Sequence, residues 1–317
     1  MTRQPRDPKS LRLGITPWHL SSTMEADTLC RQAELAEQCG YESFWLPESH
    51  FAGTPSIPEP MLLLAAIAAR TTSIKLGTTS YLLPIRNPLQ AAEQVAVLDQ
   101  LSGGRLILGL GRGFRGDMLD AFKVDPREKR QLFEQTLDAM KRAWSGDIVG
   151  SEEHAAVMSP LPLQQPHPPI WLAAFGPKAL QQAAKLGVPY LASPMESLNQ
   201  LEKNYRLYYD ALDEHGKPRP QEVAVMRTVF ISDDSQLCGK IHQKLSQMTS
   251  AIKVGNMELA KSWIVGNGTQ VVNEIREYQQ RLGMNYLIVA RPRIKGLKPE
   301  ACEQSMRQLA ALTAELK

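Results

Sequence analysis

The sequence has few cysteines, little net charge and no apolar run of transmembrane length. Its four cysteines, Cys30, Cys39, Cys238 and Cys302, form no C-x-x-C pair, so we see no sign of a zinc site and assign no metal ligand. In a chain of 317 residues they are typical of reduced, mostly buried thiols in a cytoplasmic protein. A formal net charge of +3 favours neither nucleic acid nor a membrane as a partner. Residues 1–9 are polar and contain prolines, unlike a signal peptide.

Short apolar runs alternate with helical patterns along the whole chain. Strands are predicted at residues 11–16, 41–46, 74–83, 105–110, 169–174, 190–193, 223–231 and 286–290. Helices are predicted at residues 24–39, 61–70, from 88 onward, 127–144, 178–186, 198–215, after 235, 270–282 and 299–316. Eight strands, each followed by a helix, predict an α/β fold, the (β/α)8 TIM barrel. The strands are nearly continuous apolar runs, as in a parallel sheet covered on both faces.

Two stretches are longer than the connections of a minimal barrel. Residues 147–167 are polar and rich in proline, and residues 249–266 are irregular around an isolated Trp263-Ile264-Val265 run. We interpret both as insertions beside the mouth of the barrel, at its C-terminal face. Because no shift in composition marks a boundary, residues 1–317 are predicted to form a single domain.

A glycine-rich loop that carries a cation follows the fourth predicted strand. The segment Gly111-Arg112-Gly113-Phe114-Arg115-Gly116 matches the dinucleotide-binding pattern G-x-G-x-x-G by letter. That pattern needs a helix directly after the loop, whereas residues 117–126 are not clearly helical, so a Rossmann fold is disfavoured. A barrel loop that binds a phosphate is the better interpretation. The alternative is that the glycines only turn the chain and that Arg112 lies in solvent.

The ends of the predicted strands carry the side chains from which a site would be built. In a TIM barrel the C-terminal ends of the strands hold the chemistry. Here they offer small residues, hydroxyl groups, aromatic rings, two histidines and a cation, which suit a planar, phosphorylated ligand. The segments are Thr16-Pro17-Trp18-His19, Glu48-Ser49-His50-Phe51, Thr78-Thr79-Ser80-Tyr81, Gly111-Arg112-Gly113 and Ala174-Phe175-Gly176.

Four stretches resemble one protein family, in the same order along the chain. Residues 40–51 resemble its second-strand motif, and residues 74–115 resemble its third strand through its glycine-rich loop. Residues 169–193 resemble its fifth and sixth strands, and residues 266–283 resemble its late helix. On these motifs the chain resembles the bacterial luciferase-like flavin-dependent oxidoreductases over nearly its whole length. The resemblance implies a TIM barrel that binds FMN at its C-terminal mouth, with reduced FMN as a co-substrate.

The resemblance also implies which residues bind the FMN phosphate. Arg112, beside Gly113, matches the arginine that holds the phosphate, and Arg130 matches a second arginine on the phosphate side. The loop Ala174-Phe175-Gly176 matches a segment that also meets the phosphate. Luciferase has acidic and hydroxylic residues at the last two of these positions. In this chain only backbone N–H groups would bind there, and the loss of a carboxylate beside a dianion favours phosphate binding.

The third predicted strand ends where the family holds the isoalloxazine ring of the flavin. Thr79-Ser80 matches the site of a non-prolyl cis peptide bond beneath this ring, and Thr78 comes directly before it. Non-prolyl cis bonds are rare and are found mainly at functional sites. The alternative is an ordinary trans end of a strand, so the sequence leaves the isomer open.

Glu48-Ser49-His50 aligns with a Glu-His-His run in luciferase. The first of those histidines is essential for light emission and is replaced here by Ser49, so the resemblance argues against bioluminescence. His50 keeps the second histidine, and a neutral imidazole can donate or accept a proton. Glu48 could orient His50 or bind main-chain amides of the loop. Two alternatives stay open: His50 is an ordinary loop histidine, or His19 is the acid/base.

The predicted helix at residues 61–70 is apolar all round, although a helix outside a barrel needs only one apolar face. Ala91, Ala92, Val95 and Val97 on the next helix add small apolar surface. Either an insertion covers this second face or two copies of the chain pair through it. The resemblance agrees with a homodimer.

The motifs and the resemblance predict a flavin-dependent monooxygenase. Such an enzyme would use reduced FMN and O2 to oxygenate a small organic substrate. No second nucleotide site is evident, so a separate flavin reductase would supply the reduced flavin. One alternative is a hydride-transferring oxidoreductase of the same superfamily that uses the deazaflavin coenzyme. Another is a non-enzymatic flavin-binding protein, which the loss of the histidine at Ser49 favours.

Overall fold

A computed structural model shows the chain folded as the α/β (β/α)8 TIM barrel that its sequence predicts. The structure describes residues 10–20, 25–51, 53, 55–150, 154–251 and 261–314. Residues 1–9, for which no signal peptide is predicted, and residues 252–260 of the second predicted insertion lie outside the described residues. No helix among those described is both long enough and apolar enough to cross a membrane.

Strands and helices alternate along the chain as predicted. The strands are β1 (Arg12–Ile15), β2 (Ser43–Leu46), β3 (Lys75–Thr78), β4 (Tyr81–Leu82), β5 (Leu106–Gly111), β6 (Ile148–Val149), β7 (Ala156–Val157), β8 (Ile170–Ala174), β9 (Tyr190–Ala192), β10 (Ala224–Ile231), β11 (Trp263–Gly266) and β12 (Tyr286–Ala290). The helices are α1 (Ala26–Gln38), α2 (Pro60–Arg70), α3 (Pro88–Leu101), α4 (Gly116–Ala121), α5 (Lys129–Trp144), α6 (Pro177–Leu186), α7 (Leu198–Glu214), α8 (Ser235–Ala251), α9 (Gly268–Leu282) and α10 (Pro299–Ala314). Each predicted strand is present, although the third is divided into β3 and β4, and the 3₁₀ turn Leu83–Ile85 follows them.

The region after the glycine-rich loop differs from the prediction. The sequence predicts no clear helix at residues 117–126, yet α4 occupies the first half of this segment. Six residues are too few for a helix to be stable alone, so packing must stabilise it. The buried cluster that holds α4 comprises Leu82, Met118, Leu119 and Val124.

Both predicted insertions contain strands. Residues 147–167 include the antiparallel pair of β6 and β7, in which Ile148 is opposite Val157. Residues 249–266, predicted as irregular, include β11, which pairs in parallel with the second half of β10. A run of four residues is too short to show a strand period, so β11 is recognisable only from its pairing with β10.

The described residues divide into two compact units. The first is drawn from Met1–His19, Leu35–Phe44 and Leu172–Lys317, and the second from Leu20–Glu34 and Trp45–Trp171. In the first unit, β12 pairs in parallel with β1 and β10, and β10 also pairs with β9 and β11. In the second unit, β5 pairs in parallel with β3 and β4. The single domain over residues 1–317 stays a prediction.

A buried arginine holds the loop after β9 in the first unit. Arg227 is fully buried, and its Nη1 and Nη2 donate to the carbonyl oxygens of Ser193 (2.9 Å) and Glu196 (2.6 Å). The Glu196 carboxylate accepts hydrogen bonds from the Tyr190 hydroxyl (2.8 Å) and the Asn204 amide. Burial raises the pKa of Glu196 above its ordinary value, although these hydrogen bonds oppose the shift.

Glycine is required at one position of β3 in the second unit. A Cβ atom on Gly77 would overlap the indole ring of Trp45. Trp45 is fully buried and packs on Trp171, with the ring centroids 5.1 Å apart. The large ring therefore occupies the space that a side chain at residue 77 would need.

Candidate functional site

The ends of β3 and β5 hold the residues that are predicted to lie beneath a flavin ring. The Thr79-Ser80 peptide bond, which the sequence leaves open, is cis. Thr78 Oγ1 donates to the carbonyl oxygen of Gly109 (2.7 Å), and the N–H of Thr79 donates to that of Leu46 (2.8 Å). The Thr79 hydroxyl is buried and forms no hydrogen bond with any residue that the structure describes. This strand end therefore offers a polar atom that a ligand could satisfy.

The last residue of β5 lies against the cis peptide bond. A Cβ atom on Gly111 would overlap the Ser80 side chain, so only glycine permits this approach. Gly113, two residues later, has a φ of +70°, which also favours glycine. The glycines of the loop therefore do more than turn the chain, because one of them makes room for Ser80.

The glycine-rich loop and the start of α5 bring three cations together. Burial lowers the pKa of Arg112, and the charge of Arg130 lowers it further. Burial lowers the pKa of Lys129 as well, followed by the charges of Arg112 and Arg130. Lys129 Nζ donates to the carbonyl oxygen of Gly113 (3.1 Å). The structure thus brings the predicted pair Arg112 and Arg130 together and adds Lys129, which the sequence analysis does not single out.

The environment of these cations suits an anion. The half-buried Arg112 guanidinium forms no ion pair with a carboxylate within the described ranges, although the charge of Glu134 partly opposes the lowering of its pKa. The first turn of α5 contains no acidic residue, and its N-cap residue Glu128 makes no side-chain capping bond. A helix N-terminus carries a partial positive charge that attracts phosphate. The alternative of a solvated Arg112 is not what the structure shows, because this side chain is partly removed from water.

Glu48 is the centre of a buried ionic cluster after β2. Its side chain is fully buried, and Oε1 lies 2.7 Å from both Nη2 of Arg86 and Nε2 of His50. Its Oε2 accepts a hydrogen bond from the main-chain N–H of Leu82 (3.0 Å). Glu48 therefore contacts His50, and the main-chain amide that it binds belongs to β4 rather than to the His50 loop, so its part in orienting His50 stays a prediction.

Arg86 is a site residue that the sequence analysis misses. Its guanidinium lies 3.9 Å from the ring centroid of Tyr81, and Nη1 lies 3.6 Å from Glu59 Oε2. Burial is the largest single influence and lowers the pKa of Arg86, but the charge and hydrogen bond of Glu48, together with Tyr81 and Glu59, outweigh it, so the pKa is raised. Arg86 and Glu48 are 38 residues apart, so their spacing gives no signal. A cation directly before the Asn87-Pro88 helix start is a local feature that could have drawn attention to it.

The loop that carries His50 is held from two sides. Arg115 donates from Nη1 to the carbonyl oxygen of His50 (3.1 Å) and from Nη2 to that of Phe51 (3.3 Å). The N–H of Ser49 donates to the carbonyl oxygen of Ile57 (2.8 Å), and Ser49 Oγ accepts from the N–H of Ile57 (3.0 Å). Ser49, which stands where the sequence resemblance places the first histidine, therefore joins this loop to Ile57 through two hydrogen bonds.

The His50 ring is buried beside aromatic side chains. It meets Phe122 edge-on, with the ring centroids 4.9 Å apart and the planes at 77°. Phe51 lies 5.8 Å from Phe122, centroid to centroid, and is 64% exposed. An imidazole in these apolar surroundings, paired with a carboxylate, is suited to proton transfer away from bulk water.

The remaining predicted residues, Ala174, Phe175 and Gly176, lie in the first compact unit. Ala174 ends β8 and is buried, and the following two residues are half-buried. Gly176, with a φ of +83°, is the N-cap of α6, and its carbonyl oxygen accepts from the N–H of Ala179 (3.1 Å). Their part in phosphate binding stays a prediction. His19, the rival acid/base, is half-buried after β1 in this same unit.

Thiol and carboxylate groups do not gather into a metal centre in the described part of the chain. There, no group of three or more His, Cys, Asp or Glu side chains could hold an ion. The four cysteines are free thiols. Burial raises the pKa of Cys302 to about 11, so this thiol is held in its neutral form.

The glycine-rich loop, the cis peptide bond and the His50 loop lie in a stretch that matches a known family. The family, described as luciferase-like monooxygenase, matches residues 11–262. The chain belongs to the luciferase-like monooxygenase family. This membership confirms the resemblance drawn from the motifs and places the chain among oxidoreductase enzymes.

Two curated relatives of this luciferase-like chain are named as monooxygenases. The oxygenase component of the flavin-dependent trigonelline monooxygenase of Acinetobacter baylyi is 26% identical over 217 residues, which cover 66% of this chain and 60% of the relative. The 4-hydroxyprotoasukamycin monooxygenase of Streptomyces nodosus subsp. asukaensis is 31% identical over 218 residues, which cover 64% and 59%. The matched region therefore spans less than two thirds of the length of these relatives.

Solved structures confirm the fold of the luciferase-like chain. Monooxygenase RslO1 of Streptomyces bottropensis has a TM-score of 0.79 at 25% identity and covers 96% of this chain and 99% of its own. The oxygenating constituent of 3,6-diketocamphane monooxygenase of Pseudomonas putida, solved with FMN, has a TM-score of 0.77 at 19% identity, with coverages of 97% and 98%. The coenzyme F420-dependent tetrahydromethanopterin reductase of Methanopyrus kandleri has a TM-score of 0.72 at 20% identity, with coverages of 97% and 100%.

Proposed function

We propose that this chain is the oxygenase of a two-component monooxygenase that uses reduced FMN and O2 to oxygenate a small organic substrate. The observation that carries the proposal is the cluster of Arg112, Lys129 and Arg130. The charge of Arg130 lowers the pKa of Arg112, and the charges of both arginines lower that of Lys129, at the start of α5, where a phosphate would neutralise the cations. In this proposal Arg112 and Arg130 hold the FMN phosphate, with main-chain groups beside Gly113.

The strand ends fit a flavin ring. The cis Thr79-Ser80 bond and the preceding Thr78 would form the surface beneath the isoalloxazine. The buried Thr79 hydroxyl has no hydrogen-bond partner among the described residues, and a flavin heteroatom would supply one. Gly111 removes the side chain that would otherwise overlap Ser80 beside this surface. These features support a planar, polar-edged ligand at this position.

Reduced FMN would supply the electrons that activate O2, and the residues of this chain would control protons and water. His50 would donate or accept a proton at the substrate or the flavin, and Glu48 would hold its ring. Phe51 and Phe122 would exclude water from the imidazole. His19 is the alternative acid/base.

Two further elements belong to this proposal. A separate flavin reductase would deliver the reduced FMN, and one relative is named as the oxygenase component of a flavin-dependent monooxygenase. The free, unpaired thiols support a cytoplasmic location.

The deazaflavin coenzyme is the second candidate. The fold is shared with an F420-dependent reductase, and a deazaflavin coenzyme also carries phosphate that Arg112 and Arg130 could bind. In that case the reaction would be hydride transfer rather than oxygenation. The cation cluster supports both cofactors equally, so the choice depends on binding at the ring.

Titration of the purified chain with FMN, reduced FMN, riboflavin and the deazaflavin coenzyme tests the proposal. Oxygen uptake is then followed with reduced FMN and a panel of small organic substrates. We expect FMN to bind more tightly than riboflavin and oxygen uptake to yield an oxygenated product. Tighter binding of the deazaflavin with hydride transfer would replace the first candidate by the second. Binding of FMN without turnover of any substrate would support a flavin-binding protein.

We also propose that α2 and α3 form a homodimer interface. The large apolar side chains that these two helices expose are Leu62, Leu89, Val97 and Leu101. Ala91, Ala92 and Val95, which the sequence analysis assigns to this surface, are buried instead, because they face the core side of α3. Adjacent exposed apolar residues favour association with a second copy.

A further inference from the structure

We propose that Arg86 is a positioning residue that acts through Glu48 to fix the tautomer of His50. In the neutral ring the proton would lie on Nε2, and Nδ1 would be the nitrogen that exchanges a proton with the substrate or cofactor. The inference rests on the proposed function in one respect only, which is the identity of the substrate or cofactor that exchanges a proton with Nδ1.

The hydrogen-bond roles follow from the donors around Glu48. Arg86 and the main-chain N–H of Leu82 can only donate, so both carboxylate oxygens of Glu48 are acceptors. A carboxylate bonded to a guanidinium keeps its negative charge. The 2.7 Å contact between Glu48 Oε1 and His50 Nε2 is then a bond that Nε2–H donates. A neutral imidazole with its proton on Nε2 has an unprotonated Nδ1.

A half-turn of the His50 ring would place Cε1 instead of Nε2 opposite Glu48, so the bond to Oε1 favours the observed orientation. Phe122 lies edge-on against the ring, and Arg115 holds the carbonyl oxygens of His50 and Phe51. Within the described ranges of the chain, no side chain or main-chain group forms a hydrogen bond with Nδ1. Nδ1 is therefore the nitrogen that stays open to a ligand.

Arg86 is itself held so that its charge stays at Glu48. Its guanidinium stacks on Tyr81, whose hydroxyl donates to Gln94 Oε1 (2.6 Å). Only 10% of the Arg86 side chain is exposed, compared with none of the Glu48 side chain. A planar guanidinium can stack on a ring and donate to a carboxylate at the same time, which a lysine ammonium cannot do in the same geometry.

Removal of Arg86 should weaken this control of the tautomer. The Glu48 carboxylate would lose the guanidinium that binds Oε1, and the main-chain N–H of Leu82 would remain its donor at Oε2. Oε1 would then no longer be fixed opposite Nε2, so the proton of the neutral ring would be divided between Nε2 and Nδ1. A ring with its proton on Nδ1 presents a donor at the open nitrogen, and that nitrogen cannot accept a proton.

The test reads the tautomer directly in the full chain without flavin. Imidazole ¹⁵N spectra of the histidine-labelled protein are recorded at a pH where the ring of His50 is neutral, and His50→Gln identifies its signals among the six histidines. We expect the proton on Nε2 in the wild type and divided between Nε2 and Nδ1 in Arg86→Met. Arg86→Lys keeps the charge and should keep the proton on Nε2. A wild-type spectrum with the proton on Nδ1 overturns the proposal without any need for a folded variant.

A matched control is available in Arg219, which also stacks on a tyrosine and pairs with a carboxylate. Its guanidinium carbon lies 4.7 Å from the Tyr209 ring centroid, and Nη2 lies 3.4 Å from Asp213 Oδ2. Arg219→Met should leave the His50 spectrum unchanged. An unchanged spectrum in Arg86→Met, or the same change in both variants, contradicts a positioning role for Arg86.

Turnover separates this inference from the proposed function. With reduced FMN, Arg86→Met should lower kcat about 10- to 100-fold, less than the loss of a general acid or base itself, and should change FMN affinity less than about twofold. Unchanged kcat would overturn the positioning role. If Arg86→Met loses the Nε2 preference but the wild type oxygenates nothing with FMN, the proposed reaction fails while the role of Arg86 stands.

Discussion

Lys129 Nζ donates a hydrogen bond of 3.1 Å to the carbonyl oxygen of Gly113, which joins the first residue of α5 to the glycine-rich loop. The bond fixes the loop relative to the helix. It uses one N–H donor of the ammonium group, and the other donors are not bonded to Gly113. Arg112 and Arg130 are near enough to lower the pKa of this lysine. A phosphate site that is ordered before the ligand arrives binds with less loss of entropy.

Arg112→Ala should weaken FMN binding about tenfold or more and riboflavin binding hardly at all. The reason is that a charge-assisted arginine–phosphate bond contributes roughly 1.5–3 kcal/mol and riboflavin lacks the phosphate. Fluorescence titration measures both affinities. Arg142→Ala, in the last turn of the same helix, is the control and should change neither. Equal weakening of FMN and riboflavin binding would show that Arg112 does not bind the phosphate.

His50→Ala should lower turnover about 10²- to 10⁴-fold, the usual contribution of a general acid or base, with FMN affinity nearly unchanged. The imidazole is 7% exposed and is bonded to Glu48. Its loss should therefore impair proton transfer much more than the binding of FMN. Steady-state oxygen uptake measures the effect. His19→Ala is the comparison, and a large loss there with none in His50→Ala would move the acid/base role to His19.

Charges on the exposed apolar face of α2 should break the proposed dimer. Leu62→Asp replaces a side chain that is 71% exposed, so the change costs the monomer little but places a carboxylate in an apolar contact. Analytical ultracentrifugation should show a dimer for the wild type and a monomer for the variant. Leu207→Asp, on the exposed face of α7, should remain dimeric. A wild-type monomer at micromolar concentration contradicts the interface.

Gly77→Ala should lower the free energy of unfolding by roughly 1–3 kcal/mol, as overpacking of a core does. The added Cβ would overlap the buried ring of Trp45, which packs on Trp171 and has no space to retreat. Urea unfolding measures the change. Gly239→Ala in α8, where a Cβ meets no atom within 4 Å, should instead raise stability by roughly 0.5–1 kcal/mol. If both variants change the free energy of unfolding in the same direction, the overlap with Trp45 is not the cause of the effect at Gly77.

The stability contributed by Glu196 should fall as the pH rises. Burial raises its pKa in the folded state above the ordinary value of 4.5, so between these two values the folded chain holds a proton that the unfolded chain releases. The contribution is complete below 4.5 and is lost as the pH rises through the raised value. Glu196→Gln does not ionise, so urea unfolding should show the wild type losing stability relative to this variant towards neutral pH.

Glu202, on the same helix as the Asn204 partner of Glu196, provides a control of opposite sign. The hydrogen bond and charge of Arg281 lower its pKa, so its contribution is present above the ordinary carboxyl value and is lost as the pH falls. Glu202 is exposed, so the effect is small. A difference between wild type and Glu196→Gln that does not change with pH would contradict the raised pKa of Glu196.

The fold could be predicted because each buried strand is a local pattern. An apolar run such as β12 or β10 lies between turn residues, and its hydrophobicity alone identifies it as a strand of a covered parallel sheet. The prediction fails where neighbours in space decide the structure. The third strand divides at the cis Thr79-Ser80 bond, and α4 is helical only because it packs in a buried cluster.

The site was predictable to the extent that its residues stand at strand ends. Glu48 and His50 follow β2, and Arg112 follows β5, so the predicted strands are enough to identify them as candidate site residues. Arg86 lies beyond the 3₁₀ turn after β4, and Lys129 is the first residue of α5, so neither stands directly at a strand end. Their part in the site depends on contacts with Glu48 and Gly113, 38 and 16 residues away. That His50 has a carboxylate partner depends on side-chain direction, which its sequence context does not specify.

The mutual repulsion of Arg112, Lys129 and Arg130 has a practical consequence for the choice of buffer. Any dianion that neutralises the three cations binds the folded chain and not the unfolded one, so it stabilises the fold by mass action. Inorganic phosphate and sulfate would therefore raise the melting temperature and compete with the flavin. Flavin affinities measured in phosphate buffer would be too weak, and a thermal shift in sulfate would report on this cluster before any cofactor is added.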